Sequence, residues 1–120
     1  MPNHSLIDEV QILPRRGMLY QLQGPGHSGK SMREFAEAWT AMTLMNGDYV
    51  HWIDGACRFN PARIIQTFPH TLPDCEQLLH GLFVGRGFTV HQFSHLIQRL
   101  QAEIKITKAK LIVLDMSLIH

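Results

Sequence analysis

Long hydrophobic runs are missing from this sequence. No apolar stretch approaches the roughly 18 residues that a helical membrane span needs. Cysteine is scarce: Cys57 and Cys75 are the only two, too few for a disulfide framework and suited to free thiols in a reducing compartment. The start, Met1-Pro2-Asn3-His4, lacks the basic segment and apolar run of a signal peptide. These absences predict a soluble intracellular protein, cytoplasmic or nuclear. Charge is thin as well, at 18% of residues and a formal net of +1. No global field draws the chain to nucleic acid or to an acidic partner, so any DNA contact has to be a local patch. Internal repeats and low-complexity tracts are absent. What remains is 120 residues, 45% of them hydrophobic, enough for one domain with a core of its own.

Periodicity orders that domain as alternating strands and helices. Met18–Gln23 is a short β-prone run and 24–29 a glycine-rich turn. Lys30–Met45 follows as a helix with Met32, Phe35, Ala36, Trp39 and Thr43 on one face, stopped by Asn46-Gly47. Tyr49–Ile53 reads as a strand closed by Asp54-Gly55. Pro61 then opens a helix to about Phe68 with Asn60 as N-cap. Pro69 and Pro73 bracket a loop. Leu82–Phe88 is a third strand, and Val90–Ile104 a helix with Phe93, Leu96, Ile97, Leu100 and Ile104 on one face. Leu111–Leu114 is a continuous apolar run of the kind covered on both sheet faces, closed by Asp115. The alternation predicts βαβ units around a mostly parallel sheet.

One motif carries chemistry. Gly24-Pro25-Gly26-His27-Ser28-Gly29-Lys30-Ser31 satisfies G-x-x-x-x-G-K-[ST] in full. Glycines let the backbone wrap a phosphate closely. Successive N–H groups then point at the anion, and the helix that starts near Gly29 aims its positive end at the same charge. Lys30 is placed to reach the β and γ phosphates, and Ser31 to ligate Mg²⁺. A strand before the motif and an amphipathic helix after it are the context a P-loop requires. Asp115, at the end of a buried apolar strand, is where a second acid would complete the Mg²⁺ shell.

The stretch Trp52-Ile53-Asp54-Gly55-Ala56-Cys57-Arg58-Phe59-Asn60-Pro61-Ala62-Arg63-Ile64 resembles the segment after the second core strand of the RecA/RadA recombinase superfamily, which reads Ile-Asp-Thr-Glu-Gly and then Phe-Arg-Pro-Glu-Arg-Leu. Gly85-Arg86-Gly87-Phe88 with His91-Gln92 is similar to the Ala-Arg-Ala-Phe…His-Gln segment of its archaeal and eukaryotic branch. Leu111–Asp115 is similar to the strand carrying that family's Walker B aspartate. The matches run in order from about Arg16 to Asp115. The resemblance implies a three-layer, RecA-like P-loop core over residues 1–120, with 1–16 as a lead-in. It implies ATP and Mg²⁺ as ligands, Arg63 against the adenine ring, and a role in homologous recombination or DNA repair beside a recombinase or paralogue subunit.

Departures from the family set further expectations. The glutamate that activates water there is Ala56 here, and alanine neither takes a proton nor orients water. Asp54, one step back on the same strand face, is the substitute base, so hydrolysis is expected to be slow or absent. The rival readings are a non-catalytic, ATP-dependent interaction module and another RecA-like signalling ATPase. The chain ends at His120, five residues after Asp115. The family's next strand lies between the Walker B and P-loop strands, so the sheet is expected to be incomplete there and to associate through exposed edges. The family's DNA-binding loops also follow that point.

Other features invite less. His91 and His95 have i, i+4 metal-ligand spacing but no third ligand in the sequence nearby. Lys105, Lys108 and Lys110 suit a helix end, where cations complement the dipole, and offer DNA phosphates a weak contact at most. Cys57 has Arg58 as its one basic neighbour, little to activate a thiol.

Overall fold

The computed structural model describes residues 29–55, 58–72, 75–87 and 89–115. The expected strand Met18–Gln23 and the P-loop residues Gly24, Pro25, Gly26, His27 and Ser28 lie outside them, as do Ala56 and Cys57. The elements are α1 (Gly29–Met45), β1 (Val50–Asp54), α2 (Pro61–Thr67), α3 (Cys75–Leu78), a 3₁₀ turn (Leu79–Gly81), β2 (Leu82–Arg86), α4 (Val90–Thr107) and β3 (Leu111–Asp115).

Local chemistry sets most of these boundaries. Gly47 takes φ 83° after α1, a left-handed conformation that costs a glycine little. Asn60 Oδ1 accepts from Ala62 N at 3.0 Å while Pro61 fills the first position of α2, as the sequence predicts. Thr89 and Gln92 form a reciprocal capping box that starts α4. At its other end α4 runs to Thr107, past the expected Ile104, and stops where Lys108 turns left-handed at φ 55°.

The three strands form a parallel sheet in the order β2-β1-β3. The chain moves from β1 outward to β2, then crosses back over β1 to β3. Right-handed crossovers in opposite directions put their helices on opposite faces, and that is where the helices lie. Val50 and Trp52 pack with Ala41, Leu44, Phe59, Ile64 and Phe68 beneath α1 and α2. Ile53 packs with Phe93 and Leu100 beneath α4. The fold is therefore α/β, with β1 the buried centre.

Among the described residues, the run Leu111–Leu114 is covered on one face only. Leu111 and Val113 reach the α1–α2 core, whereas Ile112 and Leu114 are 39% and 41% exposed. Helix α4 packs over β1 and β2, leaving the neighbouring part of β3 uncovered among the described residues.

His51 faces α4 from the centre of the sheet and is 2% exposed. Its Nε2 lies 2.8 Å from Thr107 Oγ1, its ring stacks on Phe83 at 5.1 Å, and its Nδ1 is 3.9 Å from Glu103. Burial lowers its pKa, and Glu103 opposes that only in part. The unfolded state thus binds a proton more readily than the folded state. Stability from this group is full above the ordinary histidine value, about 6.5, and declines as pH falls below it. Urea midpoints are expected to drop between about pH 7.5 and 5.5 in the wild type. His51→Gln should flatten that slope, and an unchanged slope would remove His51 as its source.

Candidate functional site

Parallel α/β sheets bind ligands at the carboxyl ends of their strands, near the point where the strand order reverses. Here that point lies beside β1. The strand register sets Asp54 of β1 between Arg86 of β2 and Asp115 of β3. Asp54 is fully buried. Its Oδ1 accepts from Arg58 N at 3.2 Å and its Oδ2 from Phe59 N at 2.9 Å. Arg86 approaches Oδ2 with Nε at 3.7 Å and donates from Nη2 to the Phe59 carbonyl at 2.8 Å. One carboxylate and one guanidinium thus hold the loop that leaves β1. Two of the three segments that resemble the recombinase family, 52–64 and 85–92, meet in this network.

Asp54 is therefore a loop-holding group. To serve as the base expected from the sequence, it would have to release contacts that fix the loop. Gly55 is held just as closely: its N–H donates to Asp115 O at 2.9 Å. A Cβ there would fall 2.8 Å from that same oxygen and 2.8 Å from the Phe93 ring, so only glycine lets β1, β3 and α4 converge.

Helix α1 brings the described end of the P-loop motif toward this region. Its last residue, Met45, precedes β1 by a short turn, so the helix runs back along the sheet toward the amino ends of the strands. Trp39 packs against Leu111, the first residue of β3. Stepping from Trp39 back to Ser31 covers about 12 Å of helix, and stepping from Leu111 to Asp115 covers about 13 Å of strand. Going back along α1 from Trp39 therefore leads toward the carboxyl-end side of the sheet. A hydroxyl and a carboxylate are hard oxygen donors of the kind Mg²⁺ prefers, so the residue types at Ser31 and Asp115 fit that ion.

Arg63, on α2, reaches toward α1. Its Nη1 is 3.9 Å from Glu37 Oε2 and donates to Arg58 O at 3.4 Å. Arg33 Nε lies 3.9 Å from the same Glu37 oxygen. Glu37 is 4% exposed. Its burial raises its pKa, opposed by Arg63 and then by Arg33. Its linkage runs opposite to that of His51: its contribution to stability is fullest in acid and is lost as pH rises through the raised value. Sequence reasoning passes over Glu37 because an i, i+4 pair with Arg33 reads as a solvated helix face. Nothing in the pattern marks its distant partner.

Among the described residues no three His, Cys, Asp or Glu side chains gather to hold a metal ion. His91 and His95 are both exposed on α4. No helix among the described residues is long and apolar enough to cross a membrane.

Fold and site together define an α/β domain with a three-stranded parallel sheet, in which Asp54, Arg86 and Asp115 lie side by side at the carboxyl ends of the strands. No family model matches the sequence, and a search of curated proteins likewise finds no match.

Proposed function

We propose that this chain is a RecA-like P-loop domain that binds ATP with Mg²⁺ and hydrolyses it slowly or not at all, in homologous recombination or DNA repair. The observation that carries the reading is that the G-x-x-x-x-G-K-S motif of the sequence runs directly into α1, which begins at Gly29. The strand order also supports it. With β1 central and β3 at one side of the described sheet, the position beyond β3 is where the superfamily inserts its next strand.

In this reading the 24–31 backbone cradles the β and γ phosphates, and Lys30 adds a mobile positive charge. Ser31 and Asp115 would hold Mg²⁺, which when bound neutralises charge on the phosphate oxygens. Arg63 presents its guanidinium to the base. Partners would be a recombinase or paralogue subunit, met through the exposed strand edges, with DNA contact weak and indirect.

Calorimetry of the full chain with Mg-ATP tests the reading. Binding is expected, and Lys30→Ala should weaken it about ten- to a hundredfold, the span of a charge-assisted hydrogen bond. Absence of binding by folded wild type would overturn it. One observation favours the interaction-module version: Asp54, the nearest acid to Ala56, already holds the loop. ATP-dependent capture of a recombinase subunit without turnover would select that version. Stimulation of turnover by single-stranded DNA would select the recombination ATPase.

A further inference from the structure

We propose that Arg58 and Arg86 form an anion site on the open side of the loop that leaves β1, and that this site takes a phosphate group. The proposal goes beyond the nucleotide reading and uses no residue of the 24–31 motif. Arg86 ends β2. Its Nε lies 3.7 Å from Asp54 Oδ2, and its Nη2 donates to the Phe59 carbonyl at 2.8 Å. These are two atoms on one edge of the guanidinium, engaging two different acceptors, so the plane is held. The other edge is not used: among the described residues Nη1 has no hydrogen bond, and the side chain is 48% exposed. A planar fork with one edge fixed to the protein and the other in solvent is oriented in advance for an oxyanion.

Arg58 supplies the second cation. Its N–H donates to Asp54 Oδ1 at 3.2 Å, so its backbone rests on the same carboxylate that Arg86 approaches. Its side chain is exposed, and among the described residues the guanidinium has no partner. The acids of this region are engaged or set apart. Asp54 is buried beneath the loop, Asp115 lies on the far side of Asp54 from Arg86, and Glu37 faces Arg33 and Arg63. Two guanidiniums about one loop repel each other, and an anion received by both relieves that. The two oxygens of a carboxylate are taken up by one fork, whereas a phosphate offers further oxygens to a second. The pair therefore fits phosphate better than carboxylate.

NMR of the full chain titrated with inorganic phosphate tests the site. The Nε–H signal of Arg86 and the backbone amides of Arg58 and Phe59 report it directly. They are expected to move together and saturate, in Lys30→Ala as in the wild type. Arg58→Gln should weaken binding about two- to fivefold, the size of one exposed ion pair. Arg86→Lys should do likewise, because it keeps the charge and loses the fork. Lys105→Gln makes the same change of charge as Arg58→Gln, in the last turn of α4, and should leave binding unchanged. Acetate should bind more weakly than phosphate. Dimethyl phosphate separates two sources of the same chemistry: weaker binding than inorganic phosphate assigns a free or terminal phosphate, and equal binding assigns the backbone of a nucleic-acid strand. Arg58→Gln carries the test if Arg86→Lys does not fold, since its side chain holds no other described residue. No saturating shift in the wild type, loss of the shift in Lys30→Ala, an equal loss in Lys105→Gln, or acetate binding as tight as that of phosphate overturns the proposal. Each of these leaves the Mg-ATP reading to its own titration.

Discussion

Asp54→Ala should cost the domain about 3–5 kcal/mol of stability, the range for removing one partner of a buried charged network. The carboxylate is fully buried, and its oxygens serve the Arg58 and Phe59 N–H groups and the Arg86 guanidinium. Truncation leaves a buried donor at Phe59 with no acceptor, and a lost hydrogen bond of that kind costs its full desolvation. It also opens a cavity under a loop that carries Phe59 into the core against Trp52, their rings 5.2 Å apart. Arg86 is less exposed to the change, because its side chain is 48% accessible and can hydrate in place. Arg86→Ala should accordingly cost only about 1–2 kcal/mol, mostly through the hydrogen bond to Phe59 O, since half-exposed ion pairs contribute little. Asp54→Asn should fall between the two. Urea unfolding of the three variants at neutral pH measures the series. If Asp54→Ala unfolds at the wild-type midpoint, the loop is held by packing and the network is incidental.

That network also shows what a single sequence makes legible. Elements fixed by nearby residues are readable: the Asn60-Pro61 start of α2, the apolar face of α4, the β-branched and aromatic run of β1. Helix α3 is not. Its four residues, Cys75–Leu78, carry no usable period, and its neighbourhood is set by Leu78 and Leu79 packing on the core. The left-handed turn at Lys108 is equally silent, because lysine does not favour that conformation and nothing local asks for it. At the site, the sequence marks Asp54, Arg63 and Asp115 as residues of interest, yet the partners of Asp54 and Arg63 remain hidden. Arg86 meets Asp54 across 32 positions, and Arg63 meets Glu37 across 26. Contacts of that range depend on strand order and helix packing, neither of which periodicity encodes.

The two hidden pairs act on one loop. Asp54 and Arg86 hold its backbone from the sheet, while Arg63 holds the Arg58 carbonyl from α2 and is itself tied to α1 through Glu37. Helix α1 is therefore linked to the loop through Glu37 and Arg63, and β2 through Arg86. In a nucleotide-binding domain such a loop is a place where ligand state and partner binding can be coupled without hydrolysis.

Ala56→Glu should raise ATP turnover about a hundredfold or more, within the range that a positioned general base supplies. Residue 56 lies between Asp54, fixed in the sheet, and Arg58, whose N–H and carbonyl are both engaged. Asp54 is shorter, buried and engaged with its neighbours. The gain should appear in a single-turnover assay with saturating Mg-ATP, while affinity for ATP changes little, because a base acts on the attacking water rather than on the bound phosphates. Adding Lys30→Ala in the same chain should erase the gain, which ties the new activity to the phosphate motif and not to a contaminating ATPase. If Ala56→Glu binds Mg-ATP as the wild type does and still hydrolyses it no faster, then the loop after β1 does not face the γ-phosphate, and the resemblance of residues 52–64 to the recombinase segment is one of sequence alone.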